Sequence, residues 1–460
     1  MLSRNPSLLL AALPGALGGA ALALLMLGKP LAAQSAAPSR ATELSLVEAT
    51  ARALANNLDL RAARADTGLA RAQLIGSRLR PNPALALQYQ TTGDRSAAGL
   101  EADASVSVTQ DLQLWGVRSN RIRAASLEAE RTRYTVLDAA RRVRREVAAS
   151  YRELLFLEQR AAILDSLARV NNRIARAAQL AFQQGLGSEL DARLSAAAWQ
   201  QSLLDRDGAL REYSMTQVEF ARLLGDSLTA TYRPTDSLAP ASLRFLTVRA
   251  SDAAPTGAVR FDPDEAGLDS LVRLALTQRP DVRAAEYEVD AQQATLTAAR
   301  AAGKPTVAIG ALYNGSRDNF TLGTQQGSNF DRAIGLGLVI GLPLFSRNQG
   351  EVAQAQFGGT TAGLRLASAR QGVERDVRVA VQRVALAASQ VETLRQSILP
   401  ANAGALQIVE GAFSRGQANI FQVLQVQRAY VESTTGLLEA MRQYAQGLAD
   451  LEAAVGTSLP

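Results

Sequence analysis

The stretch Ala181-Phe182-Gln183-Gln184-Gly185 returns 231 positions later as Ala412-Phe413-Ser414-Arg415-Gly416. In both places a long helix-compatible tract ends at a glycine, and a second helix-compatible tract follows. Large internal repeats determine the architecture of a chain before any single residue does. We therefore predict a first repeat at residues 42–225 and a second repeat at residues 264–456, joined by a linker at residues 226–263.

Other landmarks recur at almost the same spacing. Pro83 corresponds to Pro305 at an offset of 222 positions, and Leu112-Gln113-Leu114-Trp115 corresponds to Leu342-Pro343-Leu344-Phe345 at an offset of 230. The offset changes by only nine positions along the repeats, which indicates one insertion zone in an otherwise constant unit.

Between the helix-compatible tracts the sequence changes to a period of two. Apolar side chains alternate with small or polar ones around Leu85, from Val307 to Tyr313 and from Ile334 to Ile340. This alternation suits a transmembrane β-strand with one face toward lipid, although an ordinary soluble hairpin has the same pattern. We predict four strands per chain and six lipid-facing side chains: Leu85, Leu87, Val307, Ile309, Leu336 and Leu338.

A very long tract follows each strand pair, at about 116–184 and 346–415. Some 70 residues at about 1.5 Å each would give a rod of roughly 100 Å. Apolar residues recur every seventh position with much alanine, which predicts close coiled-coil packing. Pro400 and Gly404 predict an interruption of the second rod.

Glycines mark the reversal after each rod. Gly185, Gly187 and Gly416 read as helix C-terminal turns, and return helices are predicted at about 189–224 and 420–455. The predicted unit is therefore a helical hairpin, given twice, in a chain that is mainly α with a small β part.

The N-terminus and the composition exclude several classes of protein. Residues 1–33 combine Arg4, a Leu/Ala-rich run and a small-residue exit, which predicts a secretory signal peptide. A retained membrane anchor is the alternative, because the apolar run is nearly long enough to span a bilayer. The 460 residues contain no cysteine and no histidine, so we expect no disulfide, no metal site, no cofactor and no catalytic residues. The formal charge of +6 is not concentrated in a basic tract, so we expect no nucleic-acid partner.

The order of helix, strand pair, long helix, glycine turn and return helix, given twice behind a signal, resembles the TolC-like outer membrane efflux family. The turns at residues 181–185 and 412–416 are similar to the family's periplasmic tip turns. The segment Leu342-Pro343-Leu344-Phe345-Ser346-Arg347-Asn348-Gln349-Gly350 resembles members of heavy-metal cation efflux systems.

The resemblance implies a homotrimer in the bacterial outer membrane. Each chain would give four strands to a twelve-stranded transmembrane β-barrel and its helices to an α-helical tunnel across the periplasm. The channel would be a passive exit duct for substrates that an inner-membrane pump of the resistance-nodulation-division type exports through a periplasmic adaptor. Metal cations are one candidate cargo. The predicted number of strands agrees with an assembly of several chains, because four strands cannot close a barrel and open sheet edges are not tolerated in lipid.

Members of the family place acidic side chains after the second tip glycine, where they ring the pore. This chain has Gln422 and Gln425 at the matching positions, and Asp191 at the equivalent place in the first repeat. A ring of Asp191 would favour cations at the constriction, as charged rings do in other pores. The alternative is that Asp191 caps or solvates the return helix.

A soluble periplasmic coiled-coil scaffold or adaptor is the competing interpretation. Such a protein would keep the helical hairpins without needing lipid-facing strands, so an arginine in place of Leu87 or Ile309 would harm only the channel. An enzyme is the least favoured class, because the chain has no glycine-rich phosphate loop and no nucleophile elbow. The cargo, the particular pump and the resting state of the tip are not determined by the sequence.

Overall fold

The computed structural model describes most of the two repeats, namely residues 41–92, 101–237, 265–322, 324–415 and 417–457. The predicted signal peptide, the tip residue Gly416 and linker residues 238–263 lie outside the described residues.

The first repeat begins with a three-residue strand and two helices, continues with a strand pair and ends with a helical hairpin. Its elements are β1 Thr42–Leu44, α1 Leu46–Asn56, α2 Leu58–Arg78, β2 Ala84–Thr92, β3 Glu101–Leu112, α3 Val117–Gln183 and α4 Glu189–Leu224, followed by β4 Tyr232–Pro234. With 67 residues, α3 is about 100 Å long. The prediction of an uninterrupted first rod is confirmed.

The second repeat has the same order of helix pair, strand pair and helical hairpin, but a π-helical turn divides its long helix. Its elements are α5 Glu265–Gln278, α6 Pro280–Ala302, β5 Thr306–Leu322, β6 Gln325–Gly341, α7 Gln349–Thr393, a π-helical turn at Leu394–Ile398, α8 Leu399–Ser414 and α9 Ile420–Val455. The π-helical turn directly precedes Pro400, which has no N–H to donate and whose ring disfavours a regular helix. The predicted interruption of the second rod is therefore confirmed.

Heptad positions form the buried seams of the rods. Val147, Leu154 and Ala168 of α3 are almost fully buried, as are Val377 and Val384 of α7. In α8 the predicted seam is not buried in the single chain: none of its residues is fully buried, and Ile408 is 74% exposed. The reason is that, among the described residues, α8 packs mainly against α9 and the π-helical turn.

Equivalent residues hold the two return helices in the same way. The Asn57 side-chain amide donates to the Leu223 carbonyl at 2.9 Å, and the Arg279 guanidinium donates to the Ala454 carbonyl at 3.4 Å. Asn57 and Arg279 lie 222 positions apart, and the two carbonyls lie 231 apart. The internal repeat is thus visible in individual contacts.

The described part of the linker belongs to the folded body. In a two-stranded parallel sheet β4 pairs with β1, and Tyr232 packs edge-on against Phe220 with ring centroids 5.6 Å apart. Burial and a hydrogen bond to Asp226 raise the pKa of Tyr232 to about 12. The Tyr151 hydroxyl donates to the Leu44 carbonyl at 2.9 Å.

The four predicted strands form one antiparallel sheet in the order β2-β3-β5-β6. The helices beside it follow the same order, since α2 packs on α3, α3 on α6, and α6 on α7. Consequently β2 and α2 lie at one edge of the subunit, and β6 and α7 lie at the other. None of the helices in the described part of the chain has both the length and the apolarity to cross a membrane.

Candidate functional site: the helical tips and the strand face

The first helical tip is a tight turn built by two glycines. The Leu186 N–H donates to the Ala181 carbonyl at 2.8 Å, and the Gly185 N–H donates to the Phe182 carbonyl at 3.0 Å. Gly185 adopts a φ of 70°, which glycine populates without steric cost. A β-carbon on Gly187 would lie 3.0 Å from the Ala181 β-carbon. Both glycines are therefore required by the shape of the turn.

The second tip repeats this geometry. The Gln417 N–H donates to the Ala412 carbonyl at 2.8 Å, which is the counterpart of the bond between Leu186 and Ala181. The Asn419 side chain accepts from the Gln422 N–H at 2.9 Å, and the Gln422 side chain accepts from the Asn419 N–H at 3.0 Å. Gln422, predicted at the constriction, is thus also half of a capping box.

The other two constriction candidates are Asp191, in the first turn of α4, and Gln425, in the second turn of α9. Asp191 is half-buried near the start of α4, and Gln425 is exposed on α9. The N-cap of α4 is Ser188, whose hydroxyl accepts from the Leu190 N–H at 3.1 Å. Asp191 is therefore not the N-cap residue, although its negative charge suits the positive end of the helix dipole.

Large apolar side chains surround the tips and are open to solvent in the single chain. Leu186, in the turn of the first tip, is 81% exposed. Leu190 and Phe421, at the starts of the two return helices, are 62% and 60% exposed. Clustered exposed apolar side chains typically mark an interaction surface.

A groove runs above the tips between the two helical hairpins. It has a volume of about 780 Å³ and is lined by α3, α4 and α9. An ion pair between Arg160 and Glu212 at 2.8 Å lies on its rim. The Asn171 amide nitrogen contacts the Ala198 carbonyl at 3.5 Å, while its buried oxygen has no hydrogen-bond partner among the described residues. The groove is thus lined by apolar and by polar or charged residues in similar numbers.

The strand register puts the six predicted lipid-facing side chains on one face of the sheet. Leu85 is paired with Val108, which is paired with Ala311, which is paired with Leu336. Two residues further along the strands, and therefore on the same face, Ile309 lies opposite Leu338. Glycine, alanine, serine and threonine predominate on the other face near the helices. The result is a continuous apolar face opposite a face of small and polar residues.

An ionic cluster that the sequence analysis did not identify joins α6, α7 and α9. The Arg279 side chain, only 5% exposed, contacts Asp281 at 2.6 Å and Asp376 at 3.0 Å. Burial alone would raise the pKa of each aspartate, but hydrogen bonds from arginine hold both pKa values below their usual 3.8. The only sequence signal was the match between Arg279 and Asn57, because Asp376 and Ala454 are far from Arg279 along the chain.

The site contains no evident centre for metal chemistry. Within the described ranges, no three aspartate or glutamate side chains come together as a metal-binding group. The tips and the strand face are surfaces, and their shape allows packing, lipid contact and the lining of a passage.

Comparison with known proteins agrees with this geometry. The family model described as "Outer membrane efflux protein" matches residues 49–226 and 271–457. The chain therefore belongs to the outer membrane efflux protein family. This confirms the predicted family, the outer membrane location and the function as an efflux channel whose long helices lie in the periplasm. The family and fold are those of channels rather than enzymes.

Several relatives are similar over nearly the full length. The cobalt-zinc-cadmium resistance protein CzcC of Cupriavidus metallidurans is 24% identical over 415 residues, which is 90% of each chain. The outer membrane protein VceC of Vibrio cholerae has a TM-score of 0.69 at 18% identity, covering 90% of this chain and 96% of VceC. The CmeC outer membrane channel of Campylobacter jejuni has a TM-score of 0.70 at 16% identity, with coverages of 89% and 85%.

Proposed function

We propose that the channel is a homotrimer with residues 42–225 and 264–456 as its two repeats and residues 1–33 as its signal peptide. The observation that carries the proposal is that the β-sheet and the helical layer have their two open edges on the same two sides of the subunit. At one side lie β2 and α2, and at the other lie β6 and α7. In the antiparallel sheet β2 and β6 run in opposite directions, so β6 of one chain is able to pair with β2 of the next.

Lipid requires that such edges be closed, because unpaired backbone groups cost several kcal/mol each in hydrocarbon. Two chains would give eight strands, a size at which side chains fill the interior. Three chains give a twelve-stranded barrel, the smallest closed assembly of this subunit with room for a passage. The apolar strand face, including Leu85, Leu87, Val307, Ile309, Leu336 and Leu338, then contacts lipid.

The helical layer supports the same assembly. An exposed stripe on α2 has heptad spacing through Leu58, Leu69 and Leu79, and Phe357 and Leu364 are exposed on α7. These stripes lie at opposite edges of the subunit, so a cyclic trimer brings them together. Their burial would contribute roughly 1.5–3 kcal/mol for each large side chain.

The duct is passive and catalyses no reaction, and its tips receive a periplasmic adaptor that links it to an inner-membrane pump of the resistance-nodulation-division type. The supporting features are the apolar side chains around Gly185 and Gly187, the matching hydrogen bond from the Gln417 N–H to the Ala412 carbonyl, and the groove of about 780 Å³ between the hairpins. Gly416 is proposed as the glycine of the second tip. An adaptor helix would bury its apolar face in this groove.

Metal cations are the proposed cargo. The support is the likeness to a relative whose name records cobalt, zinc and cadmium resistance. A conduit needs weak binding so that its cargo leaves again, and the sequence has no histidine or cysteine to retain these metals. Asp191, Gln422 and Gln425 would line the constriction, with Asp191 as the charged group.

A deletion strain tests both the duct and its cargo. Loss of the gene should lower the tolerated concentration of zinc, cobalt and cadmium, and the wild-type gene should restore it. A hydrophobic drug serves as the comparison cargo. Sensitivity to the drug alone would contradict metal export, and a wild-type protein found only in the soluble periplasmic fraction would support a scaffold or adaptor instead.

A further inference from the structure

A junction inside the chain shows how the end of one strand rests on the beginning of its neighbour. Trp115 follows β3, and its indole N–H donates to the Pro305 carbonyl at 2.7 Å. The Lys304 ammonium lies 5.6 Å from the centroid of the indole ring. Lys304 and Pro305 directly precede β5, which pairs with β3. This Trp115 junction therefore joins the first repeat to the second.

The internal repeat assigns each of these residues a counterpart. Phe345 corresponds to Trp115 at the offset of 230, while Asn82 and Pro83 correspond to Lys304 and Pro305 at the offset of 222. The turns before the aromatic residues also match. The Leu114 N–H donates to the Leu112 carbonyl at 3.0 Å, and the Leu344 N–H donates to the Leu342 carbonyl at 2.9 Å.

The counterparts cannot meet within one chain. Phe345 follows β6 at one edge of the sheet, and Asn82 and Pro83 precede β2 at the other edge. Accordingly Phe345 is 94% exposed. An aromatic side chain of this size left fully open at the end of an unpaired edge strand is suited to a partner that presents the equivalent surface.

The region before β2 is also incomplete in the single chain. A cavity of about 470 Å³ opens there, lined by Arg80, Pro81 and the end of β3. The buried Gln113 Oε1 and Arg118 Nε, both from residues lining it, have no hydrogen-bond partner among the described residues. In the second repeat Pro81 corresponds to Gly303, at the offset of 222. Gly303 lies so close to the Arg347 carbonyl that a β-carbon there would clash.

We propose that Phe345 of one chain packs against Asn82 and Pro83 of a second copy, beside this cavity. The contact repeats the Trp115 junction across the subunit interface, and it rests on the proposed trimer. It differs from the Trp115 junction in two respects: the phenylalanine side chain has no N–H to donate, and Asn82 carries no charge. The junction between chains thus lacks the hydrogen bond and the cation that the Trp115 junction has.

Cross-linking tests this contact, because the natural chain has no cysteine. The double variant N82C/F345C, treated with a short bismaleimide in detergent, should give linked dimers and trimers on denaturing gels. Co-expression of N82C with F345C as single variants should give linked dimers in a mixed trimer. The matched control W115C/K304C should link only within one chain, and N82C/L186C should not link.

The mass of each variant in detergent separates this inference from the trimer proposal. Linked oligomers support the contact. An intact trimer without linkage overturns the contact alone and places Phe345 against lipid. A monomer of the unmodified protein overturns the contact together with the trimer.

Residue chemistry gives a second test. F345W supplies the missing N–H and should shift the trimer–monomer equilibrium toward trimer by about fivefold per junction, the effect of one net hydrogen bond. F345A should shift it the other way, whereas L228A, at an exposed residue between α4 and β4, should leave it unchanged. A trimer equally resistant to dissociation in F345W, F345A and wild type would overturn the contact.

Discussion

Replacing Leu336 with arginine tests which face of the sheet meets lipid. Leu336 lies on β6, five residues before the strand ends at Gly341, and its side chain is 91% exposed in the single chain. Five residues at about 3.4 Å each give about 17 Å along the strand. With a strand tilt of about 40°, the depth is about 13 Å, which is near the middle of an apolar band about 25 Å tall.

An arginine at the bilayer midplane costs about 2–4 kcal/mol in a barrel, so three chains would lose about 6–12 kcal/mol per trimer. Gly337→Arg is the matched control. Gly337 is the next residue, its side-chain position faces the opposite side of the sheet, and a β-carbon there would meet no atom within 4 Å. We expect that control to change stability by only about 0.5 kcal/mol per chain.

The assay is equilibrium unfolding of each variant in phospholipid vesicles with guanidinium chloride, together with the amount of protein in the outer membrane fraction. Leu336→Arg should lower the unfolding midpoint and the membrane yield, and Gly337→Arg should resemble wild type. Equal effects of the two variants, or a larger effect of Gly337→Arg, would refute the assigned orientation of the sheet.

Three further outcomes follow from the tips and the ionic cluster. Arg279→Met should lower the free energy of unfolding by about 3 kcal/mol, since it leaves buried carboxylates unpaired. Because the pKa of Asp281 is lowered in the folded state, the stability that its ion pair contributes is present above pH 3.8 and is lost as the pH falls below that value. Chemical denaturation should therefore show the variant and the wild type converging in stability in strong acid. Gly187→Ala should increase hydrogen exchange at the first tip, because its β-carbon meets Ala181, whereas the open α4 position Gly208→Ala should stabilise the protein by about 0.5–1 kcal/mol. Asp191→Asn should make single channels less cation-selective by reversal potential, and the same selectivity as wild type would remove Asp191 from the constriction.

Local signals were sufficient to predict the helices and strands. The return helices begin and end as predicted because Ser188 and Asn419 cap their starts and glycines at positions 225 and 456 terminate them. The strand stripes also needed only the period of two, and the register then aligned them on one face. Sequence spacing carries this information directly.

Features that depend on distant residues were not predictable in the same way. The three-residue strands β1 and β4 are too short to show a period, and their pairing brings together residues 190 positions apart. Arg279 meets Asp376 and Ala454 only after α7 and α9 have packed. The capping role of Gln422 was missed because a glutamine three residues after an asparagine was read as a pore position. The side chains that ring a passage depend on how several copies pack, which one sequence does not display.

Native mass spectrometry of the detergent-extracted protein tests the central claim most directly, because it counts the chains in the assembly. The closure of edges β2 and β6 predicts one dominant species containing three copies, which separates into monomers when the detergent micelle and the native fold are lost. A protein that is released from the outer membrane fraction without detergent and is monomeric would contradict it.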